Sequence, residues 1–190
     1  KRGFMLNNEI RYMGEGLTGQ LQVDVLPNDI SRNSDQNQTR YGLSYTHNQY
    51  LGRGWHGNLS YNRVSDDRYF RDISNNMAST SRRNLAQQAT AAYHGALGDN
   101  GWLSMSVMAQ RFQTLQDPLA KFRSPYRRLP KLTMNAVQRN IAGMDFNLNT
   151  SWTNFAHDSL VDGHRFTMFP SVSVPLRNAF GYVTPKVGMH

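Results

Sequence analysis

The most constraining feature of this chain is an apolar–polar alternation at a period of two, repeated along almost its whole length. Leu21, Val23 and Val25 alternate with Gln20, Gln22 and Asp24. Tyr41, Leu43 and Tyr45 alternate with Gly42, Ser44 and Thr46, and Trp55, Leu59 and Tyr61 with His56, Asn58, Ser60 and Asn62. Further blocks carry the same rhythm: Phe4–Tyr12, Ala89–His94, Leu103–Gln110, Leu132–Ala136, Met144–Trp152, Phe166–Leu176 and Val183–Met189. Successive side chains of a strand point to opposite faces, so each block reads as a strand with one apolar and one polar face. The pattern predicts ten strands and no helix.

The connections alternate in length. Short turns fall at Gly14–Gly16, Gly52–Gly54, Gly98–Gly101, Asn140–Gly143 and Asn178–Gly181, each with the Gly or Asn that tight hairpins require. Between them lie longer polar loops at Pro27–Thr39, Asp66–Asn84, Gln116–Arg127 and Asp158–Gly163. Short turns at one end and long loops at the other are the habit of an outer-membrane β-barrel.

Composition separates a barrel from a sandwich. Charged residues make up only 18% of the chain and hydrophobic ones 38%. The polar face is built mainly of Asn, Gln, Ser, Thr and His, which suits a hydrated lumen. The apolar face carries few charges, as lipid requires, because a cation at the bilayer midplane costs roughly 2–4 kcal/mol. The blocks match the about 9–11 residues of a tilted membrane strand. Aromatics near strand ends (Tyr12, Tyr50, Trp55, Trp102, Trp152, Phe155) suit the two membrane interfaces. The fold expected is all-β, an antiparallel up-and-down transmembrane barrel of which these are about ten strands. A soluble all-β domain is the alternative. No run of apolar residues is long enough for a membrane helix. The chain starts at Lys1, inside an apparent strand, and is expected to be a segment of something longer; the absence of cysteine excludes disulfides and thiolate metal sites within this segment alone.

The expected lumen-facing residues are Arg11, Gln20, Gln22, Asp24, Asn58, Asn62, Gln110, Lys131, Asn135, Asp145, Asn147, Asn149, Arg165 and Lys186. Chemistry-bearing motifs are scarce. Gly14-Glu15-Gly16-Leu17-Thr18-Gly19 matches G-x-G-x-x-G, but a strand follows it, where a dinucleotide site needs a helix N-terminus. The six histidines show no zinc-binding spacing and read as lumen or rim residues. Asp66-Asp67 and His157-Asp158 sit on long loops at one end, the arrangement a rim hydrolase would need, yet neighbours on an extended chain point opposite ways. No catalytic residue, metal or cofactor is expected.

The net charge is +8. Arg82-Arg83, Arg123 and Arg127-Arg128 lie in loops; Arg11, Arg63, Arg111, Lys131, Arg165 and Lys186 lie on the polar side or at strand ends. Such groups attract phosphates. Nucleic acid is excluded as the polyanion, since no recognition helix or aromatic RNA-binding motif is present. Lipopolysaccharide is another, and a charge bias specific to a fragment is the plain explanation.

Four strings in register then carry a resemblance: Leu26-Pro27-Asn28-Asp29; Asn62-Arg63-Val64-Ser65-Asp66-Asp67-Arg68-Tyr69-Phe70; Gln110-Arg111-Phe112-Gln113-Thr114-Leu115; and Pro125-Tyr126-Arg127-Arg128-Leu129-Pro130. With the closing Thr184-Pro185-Lys186-Val187-Gly188, they resemble the C-terminal domain of the LPS-assembly protein LptD family of Gram-negative bacteria. The resemblance implies a 26-stranded outer-membrane barrel, with a periplasmic jellyroll and the remaining strands outside this chain, so that residues 1–190 form part of one barrel domain. It implies an LptE-type lipoprotein plug, a periplasmic Lpt bridge reached through the missing domain, outer-membrane lipids around the wall, and lipopolysaccharide as cargo. A porin or receptor barrel, or less readily a rim enzyme, is the alternative. The glycosylation sequon Asn37-Gln38-Thr39 has no meaning in such a setting.

Overall fold

The computed structural model describes residues 2–32, 38–73, 83–119 and 121–189. The chain is all-β. Its strands are β1 (Leu6–Gly14), β2 (Leu17–Leu26), β3 (Arg40–Gly52), β4 (Trp55–Val64), β5 (Asn84–Ala96), β6 (Gly101–Thr114), β7 (Arg127–Ile141), β8 (Met144–Ala156), β9 (Gly163–Ser173), β10 (Leu176–Asn178), β11 (Gly181–Val183) and β12 (Lys186–Gly188). Ten of them form one sheet in the order β1-β2-β3-β4-β5-β6-β7-β8-β9-β12, an up-and-down path consistent with part of a barrel wall.

The short turns are tight for the reason their residues suggested. In the β3–β4 turn Arg53 and Gly54 have φ of 50° and 83°, and in the β7–β8 turn Ala142 and Gly143 have 51° and 78°. Two consecutive positive φ values give the hairpin turn whose twist matches that of the strands.

Two expectations are corrected. A short helix exists, α1 (Tyr69–Ile73), in the loop after β4. At five residues it is under two turns, too short to print a helical period on the sequence. The stretch read as one final strand from Val183 to Met189 is divided. Leu176 pairs with Val183 in a separate β10–β11 hairpin, and only Lys186–Gly188 joins the sheet, against Ser171–Ser173 of β9. Pro175 and Pro185 flank that hairpin; each lacks the N–H a ladder needs, so pairing breaks there.

The chain divides into two compact units, one of residues 1–49, 58–89 and 110–127, the other of 50–57, 90–109 and 128–190. In the first, register aligns the polar set sideways. Gln20 faces Arg11 and Thr46, Gln22 faces Glu9 and Ser44, and Asp24 faces Asn7 and Gly42. Directly paired residues share a face, so these side chains meet: Gln20 donates to Glu9 at 2.7 Å, Ser44 to Asn62 at 2.9 Å and Asn58 to Asn48 at 2.6 Å. Gln110 donates to Gln88 at 2.7 Å. Arg111 instead reaches Gln87 at 2.7 Å, on an exposed surface.

The second unit repeats the arrangement. Asp145 and Lys186 both pair with Ser173, Asn147 pairs with Ser171, and Arg165 with Thr153. Asn149 pairs with Phe169, an apolar residue at a polar-face position. Thr133 bonds Ser106 at 2.6 Å, with Lys131 and Asn135 two residues away on either side and therefore on the same face. The opposite faces carry large hydrophobics that stay exposed: Ile10 is 57% exposed and Phe166 65%, alongside Tyr41, Val107, Leu132 and Met168. A water-soluble sheet would bury that face; here it is the uncovered one.

Candidate functional site

The buried core of the first unit lies where the alternation did not place it. Leu26 continues the Gln20, Gln22, Asp24 series, and Val64 continues Asn58, Ser60, Asn62. Both are polar-face positions, yet both are buried, at 2% and 3% exposure. At Val64 the polar face turns apolar because α1, which follows β4, packs against it. Val64, Tyr69, Leu85 and Leu115 form one cluster, with Phe70 and Ile73 of α1 packed against it.

Beside this cluster sits an ion network centred on Arg40, the first residue of β3. Arg40 and Asp29 are fully buried. The Arg40 guanidinium grips Asp66 as a fork, Nε donating to Oδ2 at 2.9 Å and Nη2 to Oδ1 at 2.8 Å. Its Nη1 donates to Asp29 Oδ2 at 3.0 Å and to Asp72 Oδ2 at 3.1 Å. Arg32 donates to Asp66 at 2.8 Å and Arg2 to Asp29 at 3.1 Å. Three carboxylates thus face three guanidiniums, so the desolvated group is close to neutral. Forked, charge-assisted bonds of this kind are the strong ones.

Local sequence presets each carboxylate. Asp29 closes a side-chain turn, accepting from the Ser31 N–H at 3.1 Å and from the Ser31 hydroxyl. Asp66 closes the turn that leads into α1, accepting from the Arg68 N–H at 3.1 Å, while its carbonyl accepts from Tyr69 N–H at 3.2 Å. Burial disfavours the charged form of Asp29, but the bonds from Ser31, Arg40 and Arg2 outweigh it and hold the carboxyl well below the usual carboxylate range. Burial likewise opposes the charge on Asp66, and Arg40 and Ser65 reverse it, so this carboxyl is also lowered. Burial pushes the Tyr69 hydroxyl up to about 12, and the charge of Asp24 adds to it.

Three of the four family-like strings meet here. The first supplies Leu26 and Asp29, with the carbonyl of Pro27 accepting from Thr39 at 2.9 Å and Asn28 exposed beside them. The second supplies Val64, Ser65, Asp66, Tyr69 and Phe70. From the third, Gln113 bonds both backbone groups of Val64: its Oε1 accepts from the N–H at 3.0 Å and its Nε2 donates to the carbonyl at 2.8 Å. Leu115 enters the cluster and its N–H donates to the Arg83 carbonyl at 2.8 Å. Thr114 donates to Asn84 at 2.8 Å, and Phe112 is half-buried. Arg63, the penultimate residue of β4, stands beside Tyr61 and Tyr41. In the fourth string, Tyr126 precedes β7, Arg127 and Arg128 open it, and the Leu129 carbonyl accepts from Asn154 at 2.9 Å ahead of Pro130. Sequence reading missed Arg40, Asp72, Arg2 and Arg32.

Asp66 and His157, two of the residues at the long-loop end, are engaged in local structure. Asp66 is engaged by Arg40, Arg32 and the turn before α1. The His157 ring accepts from the N–H groups of Ser159 and Leu160, both at 3.1 Å, which fixes its own loop. Other histidines join aromatics: His47 lies 2.6 Å from the Tyr12 hydroxyl, His94 stacks on Trp102 and His164 on Trp152. Arg83 lies over the Phe122 ring at 4.2 Å; Arg82 and Asn37 fall outside the described residues.

The family model described as LPS transport system D matches residues 38–190. Proteins named LPS-assembly protein LptD are similar over the whole chain: 54% identical in Nitrosomonas eutropha, 49% in Nitrosospira multiformis and 37% in an Azoarcus species. The chain spans only 26%, 20% and 23% of those relatives' lengths.

Proposed function

The chain belongs to the LPS transport system D family, and from that membership we propose that it is a wall segment of an outer-membrane β-barrel that delivers lipopolysaccharide to the outer leaflet. The observation that carries the reading is the pairing of an uncovered apolar face with a laterally hydrogen-bonded polar face on one up-and-down sheet. Lipid meets the first face. The second, carrying the candidate residues from Arg11 to Lys186, lines a hydrated lumen that accommodates a lipoprotein plug and the sugar part of the glycolipid. Every backbone N–H and C=O must be paired inside a bilayer, so the remaining strands of the whole protein close the wall.

The segment contributes wall and loops rather than catalysis. The short turns face the periplasm, where the rest of the chain receives cargo from a periplasmic bridge. The long loops face the exterior.

Two measurements test this. Depleting the full-length protein stops newly made lipopolysaccharide from becoming accessible to an impermeant reagent on intact cells; continued delivery overturns the reading. Single cysteines then test the wall. A lipid-soluble thiol reagent modifies the Val23→Cys protein and spares Gln22→Cys; the reverse overturns the face assignment.

A further inference from the structure

A lipid-facing surface disfavours charge, yet two arginines of the first unit stand on the apolar face. Arg63 continues the Leu59, Tyr61 series of β4, and Arg111 the Leu103, Met105, Val107, Ala109 series of β6. Both are exposed and near the long-loop end, Arg63 one residue before the end of β4 and Arg111 three before the end of β6. We propose that they form a phosphate site on the outside of the wall, which holds the phosphorylated sugar headgroup of a glycolipid already in the outer leaflet. The inference rests on the barrel reading above and adds a lipid site separate from the cargo path in the lumen.

Gln87, on the same face of β5, joins the two arginines. Its Oε1 accepts from Arg111 Nε at 2.7 Å, and its Nε2 donates to the carbonyl of Asn62, the residue before Arg63, at 3.2 Å. The hydroxyls of Tyr61 and Tyr41 stand beside the Arg63 guanidinium. Tyr41 is fixed to this strand end by the Ser65 N–H, which donates to its carbonyl at 2.9 Å. Ser44 bonds Asn62 on the inner face, which puts Leu43 beside Arg63 on the outer one. Two guanidiniums, two phenol hydroxyls and a linking amide thus share one stretch of surface, with Leu59 below them toward the bilayer centre.

The counter-charge comes from outside the chain. Among the described residues neither arginine is in an ion pair, whereas Arg40 holds three carboxylates. No Asp or Glu stands in the outer-face series of β1 to β6. A cation on this face is costly at the midplane and tolerated near the interface, where its stem lies along lipid and its head reaches the headgroups. Guanidinium forks match phosphate oxygens, and tyrosine hydroxyls at that depth donate to phosphate or sugar. The strands of Arg63 and Arg111 are two spacings apart, about 10 Å. A sugar headgroup with phosphates at separate points fits that span better than a lone phosphodiester.

The test uses the full-length protein in phosphatidylcholine vesicles, with Leu59→p-benzoylphenylalanine as a photoreactive reporter at acyl-chain depth. The vesicles carry a small fraction of bisphosphorylated lipid A, of the same glycolipid with both phosphates removed, or of phosphatidylglycerol. Light gives several-fold more adduct with the bisphosphorylated glycolipid than with either other lipid, and millimolar inorganic phosphate leaves that adduct in place. Arg63→Gln with Arg111→Gln brings it down to the level of the other two. Arg63→Lys with Arg111→Lys keeps the charge but not the forks, and loses most of the preference. Equal adducts from all three lipids overturn the site, since the arginines then only reach for water. Phosphatidylglycerol matching the bisphosphorylated glycolipid overturns the sugar headgroup as occupant, and displacement by inorganic phosphate assigns the site to the free ion. Full preference in the lysine pair overturns recognition by guanidinium. A failure of the barrel reading appears elsewhere, as modification of Gln22→Cys by the lipid-soluble reagent.

Discussion

Tyr69 rests on Gly42. The hydroxyl oxygen and two ring carbons of Tyr69 lie 2.7 to 3.0 Å from where a Gly42 side chain would begin, closer than side-chain atoms pack. Gly42→Ala therefore displaces α1 and destabilises the protein by roughly 1–3 kcal/mol, the usual range for overpacking. Gly57→Ala, on β4 with only a carbonyl at 4.0 Å, is the matched control and changes little. The shift in the temperature at which the full-length barrel unfolds on a gel separates the two.

The same tyrosine yields a second expectation. Its hydroxyl is buried without a hydrogen-bond partner among the described residues. Its ring, by contrast, fills the cluster and lies 5.8 Å from the Arg40 guanidinium carbon. Tyr69→Phe removes an unsatisfied group and leaves stability equal or up to about 1 kcal/mol higher, while Tyr69→Ala opens a cavity and costs about 3–5 kcal/mol. A loss on Tyr69→Phe comparable to that on Tyr69→Ala would assign the hydroxyl a partner.

Acid tests the carboxylates. Asp29 and Asp66 are both lowered in the folded protein relative to an ordinary aspartate near about 3.9. Their stabilisation is thus fully present above that ordinary value and disappears only as pH falls through the lower, folded values. Pepsin is active across this window. Residues 65–73, which hold α1, resist cleavage near the ordinary aspartate pKa and become susceptible only well below it. Cleavage setting in as soon as free aspartates protonate would mean that the network does not hold the loop.

The strands were legible because each face meets one medium along most of its length, so Leu21, Val23 and Val25 separate cleanly from Gln20, Gln22 and Asp24. The rule failed where that stops being true. Leu26 and Val64 are buried at polar-face positions, Val64 against α1, and nothing local announces that helix. Arg40 was invisible for a related reason: its acceptors lie 11, 26 and 32 residues away, so no short pattern contains them. The family resemblance picked out Asp29, Asp66 and Tyr69 as strings without their shared partner. The final strand was misjudged where two prolines interrupt an otherwise regular alternation.

Gln113 offers the sharpest test of how the loop end is built. Its amide side chain acts as a surrogate strand for Val64, accepting from the N–H at 3.0 Å and donating to the carbonyl at 2.8 Å. Gln113→Glu keeps an acceptor of nearly the same shape but loses the donor, and sets a carboxylate against a carbonyl oxygen. Removing one partner of a buried hydrogen bond costs about 1–3 kcal/mol, because the group left behind stays desolvated. The loss should be local. Amide exchange at Val64 and Ser65 speeds up, since Ser65 N–H donates to the Tyr41 carbonyl at the same strand end. Exchange in β8 and β9 stays as it was. Gln113→Met, matched in length but with neither bond, exposes both amides more than Gln113→Glu does. Equal exchange in all three proteins would mean that Val64 is held by its apolar packing alone.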